Sequence, residues 1–187
     1  MSEVQIETDR LILRQPRIED LPRWTELVAD PDATRYMGGV QTPNQAWRSM
    51  MSMAGAWQLT GVSMFALEEK ASGRWIGRCG PWNPAHWPAP EVGWALHPDA
   101  SGQGYATEAA QAALRYAFET LGWERVIHVI DPDNTPSIRV AERIGSRLLG
   151  PCQIPAPFES VTCLMWGQTR EEWVARQAGA QGRGHRA

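Results

Sequence analysis

The chain has 187 residues, 43% of them hydrophobic, and carries 18 Lys and Arg against 21 Asp and Glu for a net charge of −3. Such a chain can bury one substantial core and reads as one domain, and its weak negative charge gives no basis for nucleic-acid or anionic-membrane binding as its main activity. No run is long or apolar enough to span a bilayer, and the opening MSEVQIETDR is polar and acidic, so a cytoplasmic protein without signal peptide or anchor is expected.

Taken in order, the chain alternates between strand and helix periodicity. Leu11 to Arg14 reads as a short strand, and Ile18, Leu21, Trp24, Leu27 and Val28 recur at helical spacing, with Pro22 in the tolerant first turn. Thr42 followed by Pro43 opens a second helix that runs toward Leu59. Met64 to Glu68 and Arg74 to Cys79 form a predicted hairpin across the KASGR turn, and Pro81 to Pro90 is predicted to be a structured surface loop.

A buried strand follows at Val92 to Leu96, then a turn holding Pro98, Gly102 and Gly104, then a helix from Tyr105 to Leu121 that Gly122 ends. Ala109, Ala112, Ala113 and Ala117 give this helix a small-residue face for close approach to a sheet. Arg125 to Ile130 is a β-branched central strand; Asn134 or Thr135 caps the next helix, which closes at Gly145. Leu148 to Ile154 and Ser160 to Trp166 are the last predicted strands. TREEWVARQ is a closing helix, which makes residues 1–177 one domain and leaves 178–187 as a polar tail expected to be disordered.

Chemistry concentrates where the central strand meets its glycine turn. A strand feeding a glycine-rich turn and a helix start directs several N–H groups and a helix dipole at one spot, which suits a phosphate. An ordinary strand-to-helix turn has the same outline. The spacing fits neither a GxxxxGK[ST] phosphate loop nor a complete GxGxxG fingerprint, where Thr107 stands in place of the third glycine.

The segment Ser101-Gly102-Gln103-Gly104-Tyr105-Ala106, continued by Thr107-Glu108-Ala109, resembles the [QR]xxGx[GA] acetyl-CoA loop of the GNAT superfamily of N-acetyltransferases, in the branch of ribosomal-protein N-terminal (RimJ/RimL-type) enzymes. Ser101 occupies the position of the usual Gln or Arg. A second point of resemblance is the helix carrying Asn134 and Ser137 and ending Arg143-Ile144-Gly145. The resemblance implies a mixed α/β GNAT-like fold: a twisted mixed sheet, flanked by helices, whose two central strands splay apart. It implies acetyl-CoA as co-substrate, no metal, a primary amine on a peptide N-terminus or a small molecule as acceptor, and admits a homodimer.

Carried onto this chain, the resemblance implies that main-chain groups of Ala95, Leu96 and His97 pair with pantetheine. Amides of Gln103, Gly104, Tyr105, Ala106 and Thr107 hold the pyrophosphate, and Asn134 meets a pantetheine amide. Glu91 is the candidate base, with a strand-end carboxylate or a salt bridge as the plainer reading. Ser137 is the candidate partner of the CoA sulfur, Ala141 standing where many relatives have Tyr; simple helix capping is the plainer reading.

Trp24, Trp47, Trp57, Trp75, Trp123, Trp166 and Trp173 lie in periodic segments and are expected in the core. Trp82, Trp87 and Trp94 divide between core filling and an aromatic wall for the acceptor. His97 and His128 border the expected gap and read as structural. Cys79, Cys152 and Cys163 lack CxxC spacing and read as reduced thiols, and the scattered histidines lack metal spacing. The alternative to an enzyme is a catalytically inactive acyl-CoA-binding sensor of the same fold.

Overall fold

The computed structural model describes residues 4–155 and 162–184, the last few as backbone only. Among the described residues, eight strands form one mixed sheet in the order β1-β2-β3-β4-β5-β6-β8-β7. They are β1 (Ile6–Glu7), β2 (Leu11–Arg14), β3 (Phe65–Glu69), β4 (Trp75–Trp82), β5 (Glu91–Leu96), β6 (Arg125–Ile130), β7 (Arg147–Cys152) and β8 (Cys163–Thr169). Every neighbouring pair is antiparallel except β5 and β6, which run parallel.

Helices cover both faces. On one lie α1 (Leu21–Ala29) and α3 (Pro43–Thr60), joined through the short α2 (Pro31–Thr34). Their apolar stripes meet the sheet through Trp24, Leu27, Met50 and Met53, packed with Ala66, Trp75 and Ala95. Thr42 and Gln45 cap α3 reciprocally, Pro43 occupies its first turn, and Gly61 stops it in the left-handed conformation (φ 70).

The other face carries α4 (Tyr105–Arg115) and α5 (Thr135–Arg143). Ala109, Ala110 and Ala113 are fully buried against Leu11, Leu13, Phe65, Ile76 and Val92, because a column of methyl groups lets the α4 backbone lie close to the strands. The helix does not run regularly to Leu121. From Tyr116 to Thr120 it widens into a π turn, with the Leu121 amide donating to Tyr116 O at 3.0 Å.

Four differences from the sequence reading have local causes. β4 extends through Pro81 and Trp82 into the segment expected to be loop. Pro81 sits opposite Val92 at a non-hydrogen-bonded site of the β4–β5 pair and beyond Cys79, the last β4 residue with a β3 partner, so its missing N–H leaves no ladder bond unmade. The last two strands start and end a few residues away from expectation; the expected Ser160 start lies outside the described residues. Helix α6 (Arg170–Gly184) continues past Gln177 into the segment expected to be disordered, where Ala178, Ala180 and Gln181 favour helix. Trp47, expected in the core, is 48% exposed on α3.

Strand β2 is tied to the N-terminus of α1 by a buried ion cluster. Arg14 donates to both Asp20 oxygens at 2.8 and 2.7 Å and to Glu68 at 2.8 Å, with Arg14 and Asp20 nearly inaccessible. The carboxylates hold the guanidinium well above its ordinary pKa, Asp20 contributing most. Removing one partner from such a pair strands the other in a low-dielectric setting. Arg14→Ala is therefore expected to destabilise the fold by about 3–5 kcal/mol, read as a lower urea midpoint with unchanged slope.

Candidate active site

Strands β5 and β6 pair at a single point, Glu91 opposite Ile127, where the Ile127 amide donates to Pro90 O at 2.9 Å. The next rung of a parallel ladder would join the Val129 amide to Val92 O. Both groups are diverted. The Val129 amide donates to Glu91 Oε1 at 3.0 Å, and Val92 O accepts from the His128 ring at 2.6 Å.

A carbonyl can only accept, so His128 Nδ1 carries the proton. Nε2 then accepts from the Ser146 hydroxyl at 2.8 Å, whose oxygen accepts from Gln168 Nε2 at 2.9 Å. Burial pulls the His128 pKa down to about 4, which keeps the ring neutral and preserves this tautomer. Two side chains thus satisfy the main-chain groups that the missing rung would leave bare, and the strands diverge beyond them.

On its other edge β5 remains paired. The His97 amide donates to Ile76 O at 2.9 Å, so by antiparallel alternation Glu91, Gly93 and Ala95 direct their main-chain groups toward β4. Val92, Trp94 and Leu96 direct theirs toward the gap. Of the expected trio, Leu96 directs its peptide groups into the gap and Trp94 joins it, while those of Ala95 are spent on β4 and those of His97 on Ile76 O and on the Ala100 amide, which donates to His97 O at 2.9 Å. The His97 ring turns away to Asp99 at 2.8 Å and Glu26 at 3.2 Å.

Past β5, a single 3-10 turn (Pro98–Ala100) leads to Gly102 and Gly104, both left-handed at φ 76 and 85. The hydrogen-bond ladder of α4 begins with the Glu108 amide, which donates to Gly104 O at 3.1 Å. The amides of Gln103, Gly104, Tyr105, Ala106 and Thr107 therefore lie ahead of it, at the positive end of the helix dipole. Arg10 fixes the turn from outside: it donates to Gln103 O at 3.0 Å and to Glu108 at 2.7 Å, and lies over the Tyr105 ring at 4.4 Å. A Cβ at Gly104 would meet only Arg10 Nη2, at 3.5 Å, so the space above this glycine is open.

A cavity of about 300 Å³ occupies the gap and extends onto the α1/α3 face. Glu91, Asn134, Ser137, Trp82, Trp87 and Trp94 all line it, whereas Gln103 to Thr107 lie outside, beyond the gap on the α4 face. Glu91 is 6% exposed, accepts from Trp87 Nε1 at 2.6 Å as well as from Val129, and is pushed up to about 7 by burial. It is not a solvent-facing strand end, and among the described residues it forms no salt bridge, the Arg78 cation acting on it only through space. The loop that delivers Trp87 bends at His86, a non-glycine residue at φ 65.

Asn134 caps α5, its Oδ1 accepting from the Ser137 amide at 3.2 Å, which leaves its NH₂ as the half that can serve a ligand. Ser137 is accordingly not the cap; its oxygen accepts from Trp94 Nε1 at 3.3 Å, and its own proton is free to point elsewhere. Trp94 stands apart from Trp82 and Trp87. It leaves β5 on the face opposite Glu91 and packs on the His128 ring, centroids 5.0 Å apart.

Sequence reasoning missed Arg78, Gln41 and Met53, which share the cavity wall, although an Arg inside the otherwise buried run WIGRCGPW was a visible signal. It also missed that Cys152 and Cys163 face each other across β7 and β8 with Sγ atoms 2.9 Å apart, since only strand register reveals that. Burial pushes Cys152 up to about 12 and Cys79 well above the usual thiol range. Among the described residues, no cluster of His, Cys, Asp or Glu is arranged to hold a metal, and no helix is long and apolar enough to cross a membrane.

The chain matches the Acetyltransferase (GNAT) domain family over residues 10–147. It belongs to that family. It is 34% identical over 154 residues to the uncharacterized protein YkkB of Bacillus subtilis (strain 168), covering 77% of this chain and 86% of YkkB. It is similar to the acetyltransferase from Agrobacterium tumefaciens str. C58 at TM-score 0.79 and 30% identity, over 90% of this chain and 95% of that one. The ribosomal L7/L12 alpha-N-protein acetyltransferase RimL shares the fold, at TM-score 0.72 and 17% identity over 90% of this chain and 96% of RimL. The GNAT family accounts for the mixed sheet and the parted central strands, and makes this protein an acetyl-CoA-dependent acyltransferase.

Two outcomes follow for this GNAT domain. Gly104→Val puts a β-branched side chain into a left-handed position and fills the open space above it, so if the amides of Gln103 to Thr107 hold the diphosphate as the sequence leads one to expect, CoA affinity should fall by at least about a hundredfold; an unchanged Kd by calorimetry would contradict that expectation. His128→Ala leaves Val92 O and the Ser146 hydroxyl without their partner and should cost about 2–5 kcal/mol in chemical denaturation.

Proposed function

We propose that this acetyltransferase moves the acetyl group of acetyl-CoA to a primary amine, on a protein or peptide N-terminus or on a small molecule, with Glu91 as the base. The observation that carries the reading is a buried, doubly hydrogen-bonded carboxylate, held near neutrality in its pKa, inside the cavity that opens from the strand gap.

The residues fit an acyl-CoA. The amides of Gln103 to Thr107 would hold the diphosphate, the gap-facing peptide groups of Trp94 and Leu96 would pair with pantetheine, and the Asn134 NH₂ would donate to one of its carbonyls. When bound, acetyl-CoA supplies the acetyl group already activated as a thioester.

Everything else falls to side chains of this chain. An ammonium cannot attack, so the acceptor must lose a proton, and a carboxylate with a pKa close to the working pH is the efficient group to take it. Trp87 and the Val129 amide fix both Glu91 oxygens and leave their remaining lone pairs for the amine. Ser137, oriented by the Trp94 N–H, has its own proton available for the departing sulfur. Trp82 and Trp87 give the acceptor an apolar wall and keep bulk water from the carboxylate.

Because the Glu91 pKa is raised, the base form accumulates as pH rises through about 7. kcat/KM should therefore climb with pH on a limb centred near that value. Glu91→Gln should lower kcat by roughly 10²–10⁴ and remove the limb, while leaving the CoA dissociation constant within about twofold, since the cradle is on the other face of the sheet. Thiol release measured across the pH range checks all three. CoA binding without turnover by the unaltered protein, over a panel of amines and short peptides, would favour the sensor.

A further inference from the structure

Arg78 projects from β4 into the cavity and is the one arginine of the sheet's interior without an oxygen partner among the described residues. Its polar contact is Nη1 to Met53 Sδ at 3.2 Å; its Nε is buried and unpaired, and its guanidinium lies 5.0 Å from the Trp24 ring centroid. Arg14, two strands away, shows what the same fold does with a structural buried arginine: it surrounds it with two carboxylates. Glu91 acts on Arg78 only through space, each favouring the other's charged form, and makes no hydrogen bond to it, its own hydrogen bonds being with Trp87 and Val129.

Burial pulls the Arg78 pKa down to about 10, yet it stays a cation at neutral pH. Leaving such a charge without a hydrogen-bonded anion is costly, and a planar fork of N–H donors matches a carboxylate or phosphate. The CoA diphosphate is not the missing anion, since its cradle lies on the opposite face. A second unsatisfied group shares the wall, the buried Gln41 Oε1, an acceptor able to take an N–H. The cavity therefore holds an unused cation, an unused acceptor and a base within one enclosure.

We propose that the acceptor is an amine carrying a second, anionic oxygen group, a carboxylate or a phosphate, and that Arg78 binds this group while Gln41 and Glu91 receive the amine. The inference rests on the acetyl-transfer reading above and narrows its acceptor class. Arg78 acts here as a specificity residue, touching the acceptor away from the reacting nitrogen.

The test uses matched pairs with the intact protein and saturating acetyl-CoA: glycine, β-alanine and γ-aminobutyrate against their amides, and phosphoethanolamine against ethanolamine. Thiol release gives kcat/KM and calorimetry in the presence of CoA gives affinity. At least one anionic member is expected to be preferred over its neutral partner by tenfold or more, and the two families separate carboxylate from phosphate. Arg78→Met should erase that preference through KM, Arg78→Lys should restore part of it, and neither should move the CoA dissociation constant. Equal handling of every pair, a preference that survives Arg78→Met, or no binding of any anionic amine would overturn the proposal. Arg78-dependent binding without thiol release would uphold it while removing the acetyl-transfer reading.

Discussion

One absent hydrogen bond organises this molecule. If the Val129 amide met Val92 O, β5 and β6 would zip together as ordinary parallel neighbours and no ligand could enter between them. A missing rung in a buried sheet ordinarily leaves two unpaired peptide groups, at about 1–3 kcal/mol each. Here the Glu91 carboxylate takes the donor and the His128 ring takes the acceptor. The separation of the strands is thus held by side chains as a stable state, and Ser146 and Gln168 back the ring from behind.

This arrangement links architecture to chemistry through a single residue. Glu91 is buried because it must reach the β6 backbone, and burial is what raises its pKa toward neutrality. The same carboxylate therefore completes the fold's broken ladder and is the proposed base. Its partners are neutral donors, Trp87 and a peptide amide, which temper the desolvation without abolishing it. Arg78 in the same cavity also lowers the pKa through space, and a direct ion pair would lower it further.

Much of this was readable from the chain. Thr42-Pro43, the alanine column of α4, Gly122 and the β-branched run RVIHVI each specify their element locally, and the glycine turn with its following Thr-Glu-Ala marked the amides proposed to hold the diphosphate. What stayed hidden depends on register. Whether Ala95 or Trp94 faces the gap is a question of odd against even along a pair of strands, and a single residue of offset reverses the answer. The role of His128 follows only from knowing that a rung is missing beside it. Arg78 was visible as a charge in a buried strand, but its lack of a hydrogen-bonded anion is a property of the whole neighbourhood. The two thiols at Cys152 and Cys163 are eleven positions apart in sequence and become neighbours only through the β7–β8 pairing.

The cradle at the start of α4 and the aromatic cavity beneath α3 lie on opposite faces of one sheet, joined through the parted strands. On the proposed reading, a donor threaded from one side and an acceptor entering from the other would not compete for the same doorway, and neither would have to leave before the second arrived. Such a layout favours a ternary complex with direct passage of the acyl group, so initial-rate plots at varied donor concentrations should intersect and should not run parallel.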